Sequence, residues 1–157
     1  MQTKKKFLIG FGVLFLILAL TACSKNRTPV DILSEDGKYH YYNDDLGFEI
    51  SFPEEFQYYL TQRINNPEFI DLEYFVPTTD YSYPLDFSNY AEAVVLRVIN
   101  KDFWEDNKEG HNEEYQILGE SKKRVYVIKI WEEVPADWQE KWSEEMKNEI
   151  INSFKIK

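Results

Sequence analysis

Among its 157 residues the chain has one cysteine, two histidines, six glycines and six prolines. A single thiol, Cys23, excludes an intrachain disulfide framework and any metal site built from several cysteines. So little glycine and proline, beside 43% hydrophobic and 17% aromatic residues, excludes collagen-like, low-complexity and mainly disordered classes. Basic charge is short as well: 18 Lys and Arg stand against 28 Asp and Glu, for a formal net charge of −10. A nucleic-acid binder needs a basic face to meet phosphate, so no nucleic-acid partner is expected. HExxH, GxSxG, Walker A and GxGxxG patterns are all missing. The sequence therefore assigns no cofactor, no metal ligand and no catalytic residue, and the expectation is that the protein is not an enzyme.

What is present begins at the N-terminus. Residues 4–6 are lysines, and residues 7–20 are an unbroken run of apolar residues and glycines. Fourteen residues of helix reach roughly 21 Å, short of the ~30 Å hydrocarbon core of a bilayer. The run therefore suits the apolar region of a signal peptide better than a permanent transmembrane helix. It ends in Leu20-Thr21-Ala22-Cys23, followed at once by the polar Ser24, Lys25, Asn26 and Arg27. This segment resembles the lipobox of bacterial prolipoproteins, in which a Leu and two small residues precede the Cys that receives diacylglycerol before cleavage. The resemblance implies a signal peptide over 1–22, lipidation with palmitate-type chains on Cys23, and a location in the bacterial cell envelope, facing outside the cytoplasm. An ordinary secretory signal followed by a chance cysteine is the plainer alternative.

Removing residues 1–22 takes away three basic residues and no acidic one, leaving 135 residues of net charge −13. A body this acidic is repelled by an anionic bilayer, so acyl chains, at about 0.8 kcal/mol per buried CH₂, must supply the attachment. Residues 23–37 are polar, with Pro29 and Gly37, and read as a flexible tether. A single domain is expected over 38–157.

Within that domain, Tyr39, Tyr41 and Tyr42 lead into the turn-forming Asn43-Asp44-Asp45 and Gly47, after which Phe48, Ile50 and Phe52 alternate with polar residues. That pattern predicts a β-hairpin stopped by Pro53. One or two helical turns are expected over 54–63. Strands are expected at 69–76, 91–99, 114–118 and 124–131, the last apolar on both faces and so interior to its sheet. Residues 77–90, with two prolines, read as a long loop. Trp138, Trp142, Met146 and Ile150 recur every four residues and predict one helix with an apolar stripe, followed by a short strand carrying Phe154 and Ile156. The sum is an α+β domain around a mainly antiparallel sheet.

Two segments carry a second resemblance. The run Tyr42-Asn43-Asp44-Asp45-Leu46-Gly47-Phe48-Glu49-Ile50-Ser51-Phe52-Pro53-Glu54-Glu55-Phe56 resembles the opening hairpin of the PsbP-like superfamily. Glu149-Ile150-Ile151-Asn152-Ser153-Phe154-Lys155-Ile156 is similar to that superfamily's closing helix and strand. The resemblance implies an α/β/α sandwich around an antiparallel sheet. It implies no activity, because the matching residues are structural.

His40 lies among tyrosines and reads as an ordinary half-buried strand residue; His111 reads as a solvated loop residue. The run Glu105-x-Asn107-x-Glu109-Gly110 spaces oxygen donors like a calcium loop, but it opens on Glu rather than Asp and has Gln116 where the closing Glu belongs. Tyr74, Phe75, Tyr81, Tyr83, Phe87 and Tyr90 form an aromatic stretch, of which Tyr81, Tyr83 and Phe87 on the loop are the candidate ligand-binding residues. The alternative is that these rings pack the core or cover a sheet edge. The expected function is a membrane-anchored, non-enzymatic binding or accessory module, with a protein or glycan of the cell envelope as partner. An extracytoplasmic hydrolase using a carboxylate pair is the alternative, and a purely structural envelope subunit a third.

Overall fold

The computed structural model describes residues 32–85, 88–107 and 114–157. The predicted hairpin is present: β1 (Lys38–Asn43) pairs antiparallel with β2 (Phe48–Pro53), with Tyr39 opposite Phe52 and Asn43 opposite Phe48. Its turn closes because Asn43 Oδ1 accepts the Leu46 N–H at 3.0 Å and Gly47 takes a φ of +70°, a conformation glycine adopts without steric cost. Asp44 and Asp45 thus belong to the turn. Three distant groups then clamp it: Arg124 Nη1 donates to the Asp45 carbonyl (2.9 Å), Tyr126 Oη to Leu46 (2.7 Å) and Lys157 N to Gly47 (2.9 Å).

The chain continues through a 3₁₀ turn at Glu54–Phe56 into β3 (Leu60–Asn65), where helical turns are expected from the sequence. All six β3 side chains are exposed, so the strand has no buried alternation for the sequence to display; its ladder to the neighbouring strand holds it. β4 (Phe69–Pro77), β5 (Tyr90–Asn100), β6 (Gln116–Glu120) and β7 (Arg124–Ile130) follow, with α1 (Lys101–Asp106) between β5 and β6. β6 lies two residues later than its sequence pattern suggests and carries an irregularity between Ile117 and Gly119.

The fold is α+β and dominated by antiparallel pairing, but with two sheets. One has the order β1-β2-β8 and the other β3-β4-β5-β7-β6, so β7 is interior as expected. The larger sheet offers Leu72, Tyr74 and Val76 of β4, Leu96 and Val98 of β5, and Tyr126 and Ile128 of β7 to one core. Tyr39, Tyr41, Phe48, Ile50 and Phe52 of the hairpin enter the same core. Ring contacts join the two sheets: Tyr41 meets Tyr74 edge-on at 5.3 Å, and Phe52 meets it at 4.7 Å. On the far face of the larger sheet Ile99, Val125 and Val127 are covered by Phe103 and Trp104 of α1, with Phe69 and Tyr115 beside them.

The single long helix expected after Pro135 is instead two pieces: a 3₁₀ turn at Ala136–Trp138 and then α2 (Glu144–Ser153). Ser143 caps α2, its Oγ accepting the Met146 N–H at 3.2 Å, and a capping serine starts a helix better than it continues one. The period of four survives the break because Trp142 N donates to Trp138 O at 2.8 Å, one helical turn placed before the cap. Trp138, Met146 and Ile150 are buried in the shared core and half-buried Trp142 packs on it. β8 (Lys155–Ile156) then pairs with β2, and Ser153 Oγ accepts the Ser51 N–H at 2.9 Å, occupying backbone valence at the edge of β2. At the other end, Ser34 N donates to Lys38 O and Gly37 N to Ser34 O, so the last residues of the segment read as a tether form a turn at the foot of β1. Among the described residues, no helix is long and apolar enough to cross a membrane.

Candidate binding sites

The loop between β4 and β5 is held by two carboxylates that act as reciprocal caps. Asp137 accepts from Thr78 Oγ (2.6 Å), Thr79 N (3.0 Å) and Thr79 Oγ (3.2 Å). Asp80 in turn accepts the Ala136 N–H at 2.9 Å and the Ser82 N–H at 3.0 Å. Trp138 Nε1 donates to the Pro77 carbonyl at 3.0 Å, closing the arrangement from the core side. Burial would raise the Asp137 pKa, but the hydrogen bonds from Thr78 and Thr79 outweigh it and hold the group below its ordinary value. Asp80 is lowered chiefly by the Ser82 hydroxyl and then by the Ala136 N–H.

Both carboxyl groups therefore titrate lower in the folded chain than in the unfolded one. Their contribution is complete above the unfolded carboxylate pKa, about 4, and is lost as pH falls through the lower folded values. The expected result is loss of amide protection at Thr79 and Ala136 below about pH 4, while β5 and β7 stay protected. Hydrogen exchange by NMR checks it, and unchanged protection of Thr79 and Ala136 in a variant carrying Asp80→Ala and Asp137→Ala would show the clamp to be idle.

The loop places its candidate residues differently from one another. Tyr81 is 74% exposed. Tyr83 is half-buried, meets Trp131 edge-on at 6.3 Å and donates its hydroxyl to the Glu133 carbonyl at 3.0 Å. Phe87 lies outside the described residues. Of the remaining aromatic stretch, Tyr74 and Phe75 are fully buried in β4 and Tyr90 opens β5. Beside the loop is a cleft of about 400 Å³ whose lining includes Tyr83, Pro84, Glu92, Glu114, Lys129 and Trp131; Lys129 Nζ is paired with Glu114 at 3.0 Å.

A second cleft, of about 290 Å³, was not legible as a site in the sequence. Its lining is Tyr39, Gln57, Tyr58, Tyr59, Leu60 and Tyr90. The 3₁₀ turn after β2 and the start of β3 bring Gln57 to Leu60 beside β1, and Tyr90 arrives from β5 with its hydroxyl 3.3 Å from the Tyr58 carbonyl it donates to. Burial, with Tyr58 and Glu54 nearby, pushes the Tyr39 phenol above its ordinary pKa, so it is a neutral hydroxyl at physiological pH. The one signal in the sequence is the aromatic run Phe56-Gln57-Tyr58-Tyr59-Leu60, masked by the expectation of helix.

His40 is half-buried on β1, as its surroundings suggest. Its Nδ1 lies 2.8 Å from Ser51 Oγ, directly across the hairpin, and its Nε2 3.1 Å from Asp36. The three residue types match a nucleophilic triad, but the supporting chemistry does not follow. The Ser51 N–H, which would be a convenient oxyanion donor, is already bonded to Ser153 Oγ. The arrangement instead ties the turn at residues 34–37 to the hairpin. His111, Glu109 and Gly110 lie outside the described residues, and the side chain of Asn107 donates back to Phe103 O at 2.9 Å. Among the described residues, no three His, Cys, Asp or Glu side chains gather as a metal ion requires.

Comparison with family models, curated proteins and solved structures finds no match for the chain.

Proposed function

We propose that the protein is a lipid-anchored extracytoplasmic lipoprotein, attached to the bacterial membrane through Cys23, whose body is a non-enzymatic, PsbP-like binding or accessory module. The lipobox-like Leu20-Thr21-Ala22-Cys23 supports the anchor, and the net charge of −13 on residues 23–157 makes a lipid the natural means of attachment. The PsbP-like reading, with helices flanking antiparallel strands, draws support from a contact between its two matching segments. β2 pairs with β8 through Phe48–Ile156 and Glu49–Lys155, and Ser51 bonds to Ser153, about a hundred residues away in sequence.

The observation that carries the binding reading is the aromatic cleft around Tyr58, a residue 72% exposed. Rigid tyrosines supply contact area at low entropic cost. A protein or glycan of the cell envelope is the partner class this fits. The anchor is tested by Cys23→Ala in the native host: incorporation of labelled palmitate should vanish and the protein should leave the membrane fraction. Label still entering the variant would refute lipidation at Cys23.

A further inference from the structure

The φ of Tyr58 is +65°, in the left-handed region where glycine and asparagine are at ease and a bulky side chain is strained. Strain of this kind persists where packing compensates it or where function requires the side chain. Packing does not compensate it here, because the residue is 72% exposed. The turn itself is secured without the ring: Tyr59 N donates to Phe56 O at 3.0 Å, and the Tyr90 hydroxyl holds the Tyr58 carbonyl. The sequence thus keeps a tyrosine where glycine would serve the backbone better, and points it at solvent on the rim of a cleft.

The cleft's chemistry narrows the ligand. Among the described residues no Asp, Glu, Lys or Arg lines it, although the chain carries 46 of them in all, 28 acidic and 18 basic. An anionic ligand would find no counter-charge there and would be repelled by the acidic body, and a cationic one would find no carboxylate in the lining, since Glu54 acts on Tyr39 from outside it. The polar groups on offer are the Gln57 amide and the exposed Tyr58 phenol, which both donate and accept hydrogen bonds, and the Tyr90 hydroxyl, which donates to the Tyr58 carbonyl and can still accept; the Tyr59 hydroxyl is buried. Flat apolar rings edged by such groups are complementary to a pyranose, whose C–H face is apolar and whose hydroxyls also donate and accept.

Resting on the binding-module reading, we propose that this cleft binds a neutral, β-1,4-linked saccharide chain, one sugar ring lying on Tyr58 and its hydroxyls reaching the Gln57 amide and the neighbouring phenols. A flat chain of equatorially linked pyranoses suits one open ring face better than a coiled one. A proline-rich peptide also favours aromatic grooves, but a run of prolines offers one carbonyl per residue and no N–H, so it cannot donate to the oxygens here.

The test is calorimetric titration of the full chain, solubilised in neutral detergent, with cellohexaose and with chitohexaose, and with a proline decamer as the competing class. At least one hexasaccharide should bind saturably. Tyr58→Gly should weaken that binding about tenfold or more while leaving the melting temperature unchanged or raised, since glycine relieves the backbone. Gln57→Ala should weaken it to a lesser degree. Absence of binding by both hexasaccharides overturns the proposal. So does a Tyr58→Gly variant that melts several degrees lower and binds saccharide as before, because the ring would then be structural. Tyr58-dependent binding of the proline decamer alone overturns the saccharide but leaves the binding module standing; binding of none of the three removes this cleft from that reading too.

Discussion

Trp138→Ala is expected to cost about 3–5 kcal/mol, a large share of the ~5–15 kcal/mol that holds a domain together. Trp138 is 1% exposed and is among the largest fully buried side chains. Its ring stands edge-on to Phe56 at 5.7 Å and to Trp131 at 5.5 Å, and its N–H satisfies the Pro77 carbonyl. Alanine would leave a cavity where the 3₁₀ turn after β2, the residue following β7 and the end of β4 meet, and would orphan that carbonyl. Trp142, half-buried and edge-on to Trp131 at 5.6 Å, should lose clearly less on the same substitution. Urea denaturation of both variants decides the matter. Equal losses would mean that the two tryptophans pack as one regular helical stripe, and a loss below ~1 kcal/mol at Trp138 would contradict its burial.

Periodicity alone gives Trp138 and Trp142 equal weight, and the reason it misleads is local. Ser143 caps a new helix, so the stripe is carried across a break that spacing cannot see. The hairpin, β4, β5 and β7 were legible because each has one face or both in the core, and burial writes its period into the sequence. β3 was not, because an edge strand with six exposed side chains carries no such period. Division of the strands into two sheets was equally hidden. It depends on which strands pair across long stretches of chain, as when β8 joins β2 rather than the larger sheet. For the site, composition pointed to tyrosine but in part to a different segment: Tyr83 is engaged with Trp131 and Glu133, while Tyr58 is exposed at a positive backbone angle that no residue pattern announces.

The second large effect is expected on the far face of the larger sheet, where β4 and β5 place Asp71 directly opposite Arg97. Arg97 donates to Asp71 from Nε at 2.7 Å and from Nη2 at 2.8 Å, a two-point contact that fixes both side chains. The guanidinium also lies 4.0 Å from the Phe69 ring centre and 4.7 Å from that of Tyr115. Asp71 is 6% exposed, and the bonds it accepts are the main reason the Arg97 pKa is raised. Asp71→Ala removes the carboxylate that grips the guanidinium and leaves its charge between two rings. Losing one partner of a buried pair costs about 3–5 kcal/mol; because the Arg97 side chain is 26% exposed and water can reach part of it, about 2–3 kcal/mol is expected here. Replacing both residues by leucine should recover most of that loss, since neither charge then remains to be solvated and the face gains apolar contact with Phe69. Arg97→Lys should itself be costly, because an ammonium keeps the charge but gives up the two-point geometry and the stacking. A double-mutant cycle by chemical denaturation measures the coupling directly. A value above about 1 kcal/mol is the expected result, and a value near zero would show that the strands are held in register without this pair.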